Sequence, residues 1–233
     1  MARIAHIPVE NVQADEAANL ADLEAKLNAN VVGQTIASTA LTDAVFMSRA
    51  GLRDDNKTAG TFLFTGPTGV GKTEMARTLA NTLGLKLIKF DMSEYMEKHA
   101  VAKLIGAPPG YVGHGEGGAG SGMLTNAIDK TPHAVLLLDE FEKAHPDIFN
   151  IFLQVFDDGK LTNSSGKTVY FNNVIVIMTS NAGASQAAKS PLGFTMANRS
   201  AENMDVINST FTPEFRNRLD GVVPVSYTHL RAH

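Results

Sequence analysis

Four short apolar runs are spread through the chain and predict buried strands. They are Thr61–Thr65, Leu85–Phe90, Ala134–Leu138 and Val174–Met178. Their apolar positions are continuous instead of alternating, which is typical of parallel strands covered by helices on both faces. A fifth run, Val222–Val225, contains Pro224, which a sheet accepts only on an edge or at a strand end. The pattern predicts an α/β fold built on a parallel sheet.

Helical periodicity appears before the first strand. Leu20, Leu23 and Leu27 recur at spacings of three and four, which predicts a lead-in helix with one apolar stripe. Residues 36–47 predict a second helix that ends near a glycine. The glycine-dense stretch Gly110–Gly122 predicts an exposed loop, because so many glycines are too flexible for a core.

Composition narrows the function classes. The 233 residues, 44% hydrophobic and 19% charged, suit one large packed domain or one domain and a fragment. Without cysteine there can be no disulfide, thiolate metal site or cysteine nucleophile. The net charge of −4 offers no basic excess for nucleic acid. No apolar run approaches the roughly 20 residues that span a bilayer, and the N-terminus lacks the apolar core of a secretion signal. We expect a cytoplasmic protein that binds neither nucleic acid nor membrane.

The strongest motif is the phosphate-binding loop Gly66–Thr73, which reads Gly-Pro-Thr-Gly-Val-Gly-Lys-Thr. It follows an apolar run and precedes the predicted helix Glu74–Leu83, as such a loop requires. Its glycines let backbone N–H groups converge on phosphate oxygens, and the helix N-terminus favours an anion. Lys72 is suited to neutralise β- and γ-phosphate charge, and the Thr73 hydroxyl is suited to bind Mg²⁺. The alternative is a glycine-rich turn with an incidental lysine.

Two adjacent carboxylates, Asp139 and Glu140, end the third apolar run. Asp139 is predicted to hold the magnesium shell, and Glu140 to reach the water that attacks the γ-phosphate. A solvated acidic pair at a strand end is the alternative. A glutamate after the aspartate favours hydrolysis over nucleotide sensing alone.

Other polar positions are ambiguous by themselves. Asn181 follows the fourth apolar run, where an asparagine is usually a cap or a turn residue. Arg216 and Arg218 would each be read as a surface charge. Tyr111 would be read as a packing or turn residue of its glycine-rich loop.

Four stretches in chain order resemble the second ATPase module of the Clp unfoldases, which are AAA+ ring ATPases. They are Met92–Tyr95, Ile105–Gly113, Leu138–Pro146 and Phe211–Asp220. The resemblance runs from about Arg3 to Val225. It implies the AAA+ P-loop fold, with a five-stranded parallel sheet in the order 5-1-4-3-2. It divides the chain into a lead-in segment (1–30), a large ATPase subdomain (31–225) and a tail (226–233) unlike the family.

The resemblance also assigns the site that binds ATP and Mg²⁺ and releases ADP. Glu140 becomes the catalytic base, and Asn181 positions the attacking water. Arg218 becomes the arginine finger for the neighbouring subunit's ATP, with Arg216 the less suitable candidate. Thr73 and Asp139 hold the metal. The implied nucleotide-binding residues are Val31 and Val32 around adenine, with Pro67, Thr68, Gly69, Val70, Gly71, Lys72, Thr73 and Glu74 around the phosphates.

Substrate handling is implied for three further segments. Tyr111 and Val112 resemble the pore loop that grips unfolded polypeptide, where an aromatic ring offers contact area to any sequence. A second pore loop would fall at Asn163–Lys167. The tripeptide Leu192-Gly193-Phe194 resembles the segment that docks on a ClpP-type peptidase, which favours a ClpA-type protein over a ClpB-type disaggregase. An ordinary loop with two apolar anchors remains the alternative.

The sequence departs from the family at two places. By comparison with the family, we expect residues 119–122 to be an insertion behind the pore aromatic and the small helical C-terminal domain to be missing. We therefore expect this chain to bind nucleotide poorly and to stay monomeric, whereas the full-length protein would form a homohexamer.

The sequence thus predicts an ATP-driven unfoldase module that threads polypeptide into a ClpP-type peptidase. The alternatives are a disaggregase, an ATP-dependent assembly platform, which Glu140 disfavours, and a nucleic-acid motor, which the charge balance and Tyr111 disfavour. The seven histidines show no metal-ligand spacing, and no hydrolase triad is present, so any proteolysis belongs to a partner.

Overall fold

The computed structural model describes residues 22–30, 35–49, 54, 56–106, 122–163, 165–182 and 205–225. The helices are α1 (Leu23–Asn30), α2 (Thr35–Arg49), α3 (Lys72–Thr82), α4 (Lys98–Ile105), α5 (Met123–Lys130), α6 (Pro146–Asp158), α7 (205–210) and α8 (Pro213–Arg216). The strands are β1 (Gly60–Thr65), β2 (Lys86–Asp91), β3 (Ala134–Asp139), β4 (Lys160–Thr162), β5 (Thr168–Tyr170), β6 (Val174–Ser180) and β7 (Gly221–Pro224). Single 3₁₀ turns, Met92–Tyr95 and Phe141–Lys143, follow β2 and β3.

Five strands form one parallel sheet in the order β2-β3-β6-β1-β7. Numbered along the chain within this sheet, the strands read 5-1-4-3-2 from the β7 edge, so the predicted order is confirmed. All five apolar runs are strands of this sheet. Pro224 is the last residue of the edge strand β7, a position where its missing N–H costs the sheet no internal ladder bond.

The sheet separates two apolar cores because successive side chains of a strand point to opposite faces. Phe62, Phe64 and Leu137 face the core that α1, α2 and α3 cover. Leu63 and Leu136 face the other core, which α4, α5 and α6 cover. Every residue of β1 and β6 is buried, which explains why those segments read as continuous apolar runs.

Six phenylalanine side chains pack together beneath the end of β3, on the face of the sheet that α4, α5 and α6 cover. Phe141 lies at the centre of this cluster and is fully buried, with its ring 5.4 Å from that of Phe215 and 5.7 Å from that of Phe152. The cluster consists of Phe141, Phe149, Phe152, Phe156, Phe211 and Phe215. It anchors the chain directly after Asp139 and Glu140 and brings α8 against α6.

The short antiparallel hairpin of β4 and β5 was not predicted. The Asn163 side chain organises its turn, since Oδ1 accepts the backbone N–H groups of Ser165 (3.0 Å) and Lys167 (2.9 Å). The predicted second pore loop, Asn163–Lys167, falls at this turn, and residue 164 within it lies outside the described residues. Of the helices described, none is both long and apolar enough to cross a membrane.

Candidate active site

The loop between β1 and α3 adopts a conformation that only glycine accommodates easily. Gly66, Gly69 and Gly71 have φ angles of 147°, 83° and 101°. A Cβ added at Gly66 would lie 1.9 Å from the carbonyl oxygen of Val225, so side-chain space is absent as well. The glycines of the motif therefore serve the backbone path of the loop.

Lys72 is the first residue of α3 and is only 7% exposed. Its Nζ donates to the carbonyl oxygen of Pro67 (2.9 Å), to that of Gly66 and to Asn181 Oδ1 (2.7 Å). Burial lowers the pKa of Lys72, and the nearby carboxylates Glu142, Asp139 and Glu140 oppose that shift. The ammonium is thus held at the cleft by neutral oxygens that phosphate oxygens can replace.

Asp139 ends β3 with both carboxylate oxygens engaged. Oδ1 accepts from the Thr179 hydroxyl at 2.5 Å, and Oδ2 pairs with Lys89 Nζ at 2.6 Å. Burial alone would raise the pKa of Asp139, but the hydrogen bonds from Lys89 and Thr179 and the charge of Lys72 outweigh it and leave the pKa below its usual value. The group is therefore ionised at neutral pH and offers a hard cation the oxygen it prefers.

Glu140 has a backbone φ of 54°, and among the described residues it alone combines a side chain with positive φ. This left-handed conformation costs a non-glycine residue about 1–2 kcal/mol. Its N–H donates to the Thr179 hydroxyl at 3.0 Å. Its Oε1 accepts from Asn181 Nδ2 at 3.1 Å, and Oε2 pairs with Lys143 Nζ at 2.6 Å.

Asn181 connects the phosphate loop to the acidic pair. Its Oδ1 accepts from Lys72 while its Nδ2 donates to Glu140, so one amide spans both groups. Its backbone N–H donates to Glu142 Oε1 at 2.9 Å. The residue is not a simple strand cap, which was the alternative reading of the sequence.

A cleft of about 370 Å³ opens at the carboxyl ends of the strands, where ligands of open α/β sheets bind. Its lining residues are Thr68, Gly69, Gly71, Lys72, Thr73, Glu74, Asp91, Asp139, Glu140 and Asn181. The Thr73 hydroxyl and the Asp139 carboxylate suit Mg²⁺, which takes one or two protein oxygens and completes its shell with water and phosphate. A smaller cavity of about 100 Å³ borders β1 and β6 beside Ala59 and Ile175, away from these groups.

The two candidate fingers do not line this cleft. Arg218 Nε pairs with Asp157 of α6 at 2.6 Å, and its Nη2 lies 3.2 Å from Glu214. Arg216 instead donates to the carbonyl oxygen of Phe211 at 3.2 Å and to Asn208.

Four residues of the network carry no role from the sequence: Lys89, Thr179, Glu142 and Lys143. Lys89 is one of two lysines, with Lys86, inside the run that forms β2, and its spacing gave it no role. Glu142 and Lys143 lie inside a stretch that resembles the Clp proteins, but nothing in their spacing distinguishes them from solvated charges. Thr179 looks like an ordinary β-strand residue.

Other predictions concern residues outside the described ranges and stay predictions. These are the adenine residues Val31 and Val32, the pore residues Tyr111 and Val112, the tripeptide Leu192-Gly193-Phe194, most of the loop and insertion at 110–122, and the tail 226–233.

Residues 57–222 match the family model described as AAA domain (Cdc48 subfamily). The chain belongs to this family. The cleft accordingly belongs to an ATPase module.

Three relatives show how far the similarity extends. The chain is 58% identical to the ClpA homolog protein of Fuscovulum blasticum over 223 residues, which are 96% of this chain and 28% of that protein. It is 50% identical to the ATP-dependent Clp protease ATP-binding subunit ClpE of Bacillus subtilis, covering 93% of this chain and 31% of that subunit. It is 51% identical to the chaperone protein ClpB of Propionibacterium freudenreichii, covering 93% of this chain and 25% of that protein. The chain thus spans about a quarter to a third of these relatives.

The fold also matches a solved structure, the closed-state electron cryomicroscopy reconstruction of Hsp104 with ATPγS and FITC-casein. The TM-score is 0.82 at 40% sequence identity, over 96% of this chain and 38% of that chain. The AAA+ fold inferred from the sequence is confirmed.

Proposed function

We propose that this chain is the ATP-hydrolysing module of a ring-forming unfoldase that threads polypeptides into a ClpP-type peptidase. The observation that carries the catalytic part is the bridge from Lys72 through the Asn181 amide to Glu140. It joins the predicted phosphate ligand to the predicted base, two groups 68 positions apart in sequence (140 − 72 = 68).

Each residue has one task in the proposed reaction. Lys72 and the loop N–H groups bind the β- and γ-phosphates, and Thr73 and Asp139 hold Mg²⁺, which offsets charge on the phosphates. Glu140 accepts the proton of the attacking water, which Asn181 orients. Lys143 pairs with Glu140 Oε2, and Asn181 donates to Glu140 Oε1, so each carboxylate oxygen of the proposed base has a protein partner.

The proposed assembly is a homohexamer in which each site receives Arg218 from its neighbour. Arg218 lies outside its own chain's cleft, as a residue serving an adjacent subunit should. Tyr111 and Val112, with the hairpin turn at Asn163–Lys167, would face an axial pore and grip unfolded polypeptide. Val31 and Val32 would bracket adenine.

Support for a peptidase partner comes from Leu192-Gly193-Phe194 and from the 58% identity to a ClpA homolog. Two large apolar side chains flank a glycine, and burying each in a partner pocket is worth about 1.5–3 kcal/mol. Repetition of this contact around a ring adds avidity through high effective concentration.

The test is ATP-dependent degradation of a tagged, folded fluorescent protein by a ClpP-type peptidase, using the protein with all the sequence that flanks this chain. We expect degradation to stop when Leu192 and Phe194 are both changed to Ser, while ATP hydrolysis and unfolding continue. Tyr111→Ala should instead stop unfolding and leave hydrolysis intact. Unchanged peptidase affinity in the double variant would contradict the docking role, and surviving unfolding in Tyr111→Ala would contradict the pore role.

A ClpB-like disaggregase is the second candidate. The similarity to ClpB of Propionibacterium freudenreichii and to Hsp104 favours it, at 51% and 40% identity. Recovery of an aggregated enzyme without any peptidase, together with no binding to ClpP, would favour this candidate. A cytoplasmic location and the lack of nucleic-acid or membrane partners stay predictions for either candidate.

A further inference from the structure

Thr179 lies between the two acidic residues of the site. In the parallel register of β3 and β6, Leu138 pairs with Met178, so the next residues, Asp139 and Thr179, lie side by side at the carboxyl edge. Thr179 is 1% exposed. Its hydroxyl therefore faces protein groups instead of solvent.

One hydroxyl serves both acids, and the chemistry of its partners fixes the direction of each bond. The Asp139 carboxylate can only accept, so the Thr179 proton points to Oδ1 at 2.5 Å. The Glu140 N–H can only donate, so it uses a lone pair of the same oxygen at 3.0 Å. The Thr179 hydroxyl thus makes complementary bonds to a side chain and to a backbone.

The backbone bond falls at the left-handed residue. Glu140, with φ 54° and ψ 47°, turns the chain out of β3 and directs its carboxylate toward Asn181. A polar anchor on the N–H of such a residue restricts the turn, and the cluster at Phe141 restricts the other side. The direction of the Glu140 side chain then depends on both anchors.

We propose that Thr179 is a positioning residue for ATP hydrolysis: its single hydroxyl orients Asp139 toward Mg²⁺ and holds Glu140 in the turn that directs it toward the attacking water. This rests on the roles proposed above for Asp139 and Glu140. In other metal sites, residues that hydrogen-bond to the metal ligands without touching the metal orient those ligands in the same manner. Lys89, on the other oxygen of Asp139, lacks any bond to Glu140 among the described contacts and so cannot couple the two acids.

The variants are Thr179→Val, which keeps the shape and loses the hydroxyl, and Thr179→Ser, which keeps the hydroxyl. The matched control is Thr42→Val, because Thr42 is also buried and its hydroxyl donates to the carbonyl oxygen of Ser38 in its own helix, at 2.8 Å. Melting temperatures report folding. If Thr179→Val does not fold, Thr179→Ala replaces it.

Two measurements separate positioning from general stability, in the same protein with its flanking sequence. The first is the affinity for a fluorescent ADP with and without Mg²⁺. We expect Thr179→Val to bind metal-free ADP normally and to lose most of the increase in ADP affinity that Mg²⁺ gives. The second is steady-state hydrolysis, where kcat should fall by about 10- to 100-fold, the usual effect of losing an orienting group, with KM nearly unchanged. Thr179→Ser should restore both, and Thr42→Val should change neither.

The inference is overturned if Thr179→Val keeps kcat and the increase in ADP affinity with Mg²⁺, or if a folded Thr179→Ser fails to restore them. Glu140→Gln, assayed in parallel, separates this outcome from failure of the proposed site. Normal turnover in Glu140→Gln would contradict the site itself. Lost turnover in Glu140→Gln with normal turnover in Thr179→Val would contradict the role of Thr179 alone.

Discussion

At the scale of single residues, two neutral side chains connect the charged groups of the cleft, whose acids also pair with Lys89 and Lys143. Asn181 separates the ammonium of Lys72 from the carboxylate of Glu140, and the Thr179 hydroxyl joins Asp139 to Glu140. Neutral groups of this kind orient charges without neutralising them. The two acids are thus held in separate arrangements, which suits the two tasks proposed for them, metal binding and proton transfer.

Glu140→Gln is the sharpest test of that division. The amide keeps the size of the side chain and cannot accept a proton, so we expect ATP affinity to persist and turnover to fall by about 10²- to 10⁴-fold, the usual contribution of a general base. Fluorescent-nucleotide titration and phosphate release measure the two quantities. Undiminished phosphate release would refute the assignment of the base.

At the scale of elements, β1, the phosphate loop and α3 act as one unit whose geometry depends on glycine. Gly66 and Gly84 provide a matched pair, since both have positive φ but only Gly66 has an atom in the way. Alanine at Gly84, with φ 65° and open space around it, should cost about 1–2 kcal/mol of stability and leave nucleotide binding intact.

Gly66→Ala should be far more damaging. Its Cβ would meet the Val225 carbonyl oxygen at 1.9 Å, so the loop or the segment after β7 must move. We expect nucleotide binding to be lost even where the protein folds. Urea denaturation and nucleotide titration of the two variants test this, and equal behaviour of Gly66→Ala and Gly84→Ala would contradict the explanation.

The phenylalanine cluster links stability to the site, because Phe141 directly follows Glu140. Phe141→Ala removes a fully buried ring and should cost about 3–5 kcal/mol, as large-to-small core changes do. Phe46, which is 44% exposed on α2, is the control, and Phe46→Ala should change the unfolding free energy little. The urea midpoints measure both, and a small effect at Phe141 would mean that the cluster repacks.

At the scale of the whole molecule, Arg218 tests whether catalysis is shared between subunits. Within its own chain it is held by Asp157 and Glu214, outside the cleft. We expect Arg218→Ala to lose turnover and keep ATP binding. Arg216→Ala should retain turnover, because Arg216 is bound to Phe211 and Asn208 instead.

Mixing inactive subunits decides whether Arg218 acts in trans. Subunits with Arg218→Ala keep the base, and subunits with Glu140→Gln keep the finger. In equal random mixtures about a quarter of head-to-tail interfaces would combine an intact site with an intact finger, so activity should reappear. A finger that acts within its own chain would leave every mixture inactive.

Much of this protein could be read from local sequence. A strand buried on both faces must be apolar along its length, so β1, β3 and β6 could be predicted without any knowledge of their partners. The phosphate loop is equally local, because its backbone path needs glycine at fixed spacings. The acid pair could be predicted as well, because it directly follows the apolar run that forms β3.

Tertiary structure decided the contacts between these elements. Thr179 and Asp139 are 40 positions apart, and Lys72 and Asn181 are 109 apart, so only the strand order and register bring their atoms together. The hairpin of β4 and β5 has strands of three residues, too short to show a period. Burial lowers the pKa of Lys72. Burial alone would raise the pKa of Asp139, but hydrogen bonds from Lys89 and Thr179, on two other strands, lower it. A local sequence pattern reflects the conformation of a residue's own backbone. Hydrogen-bond partners and desolvation arise only once segments distant in sequence pack together.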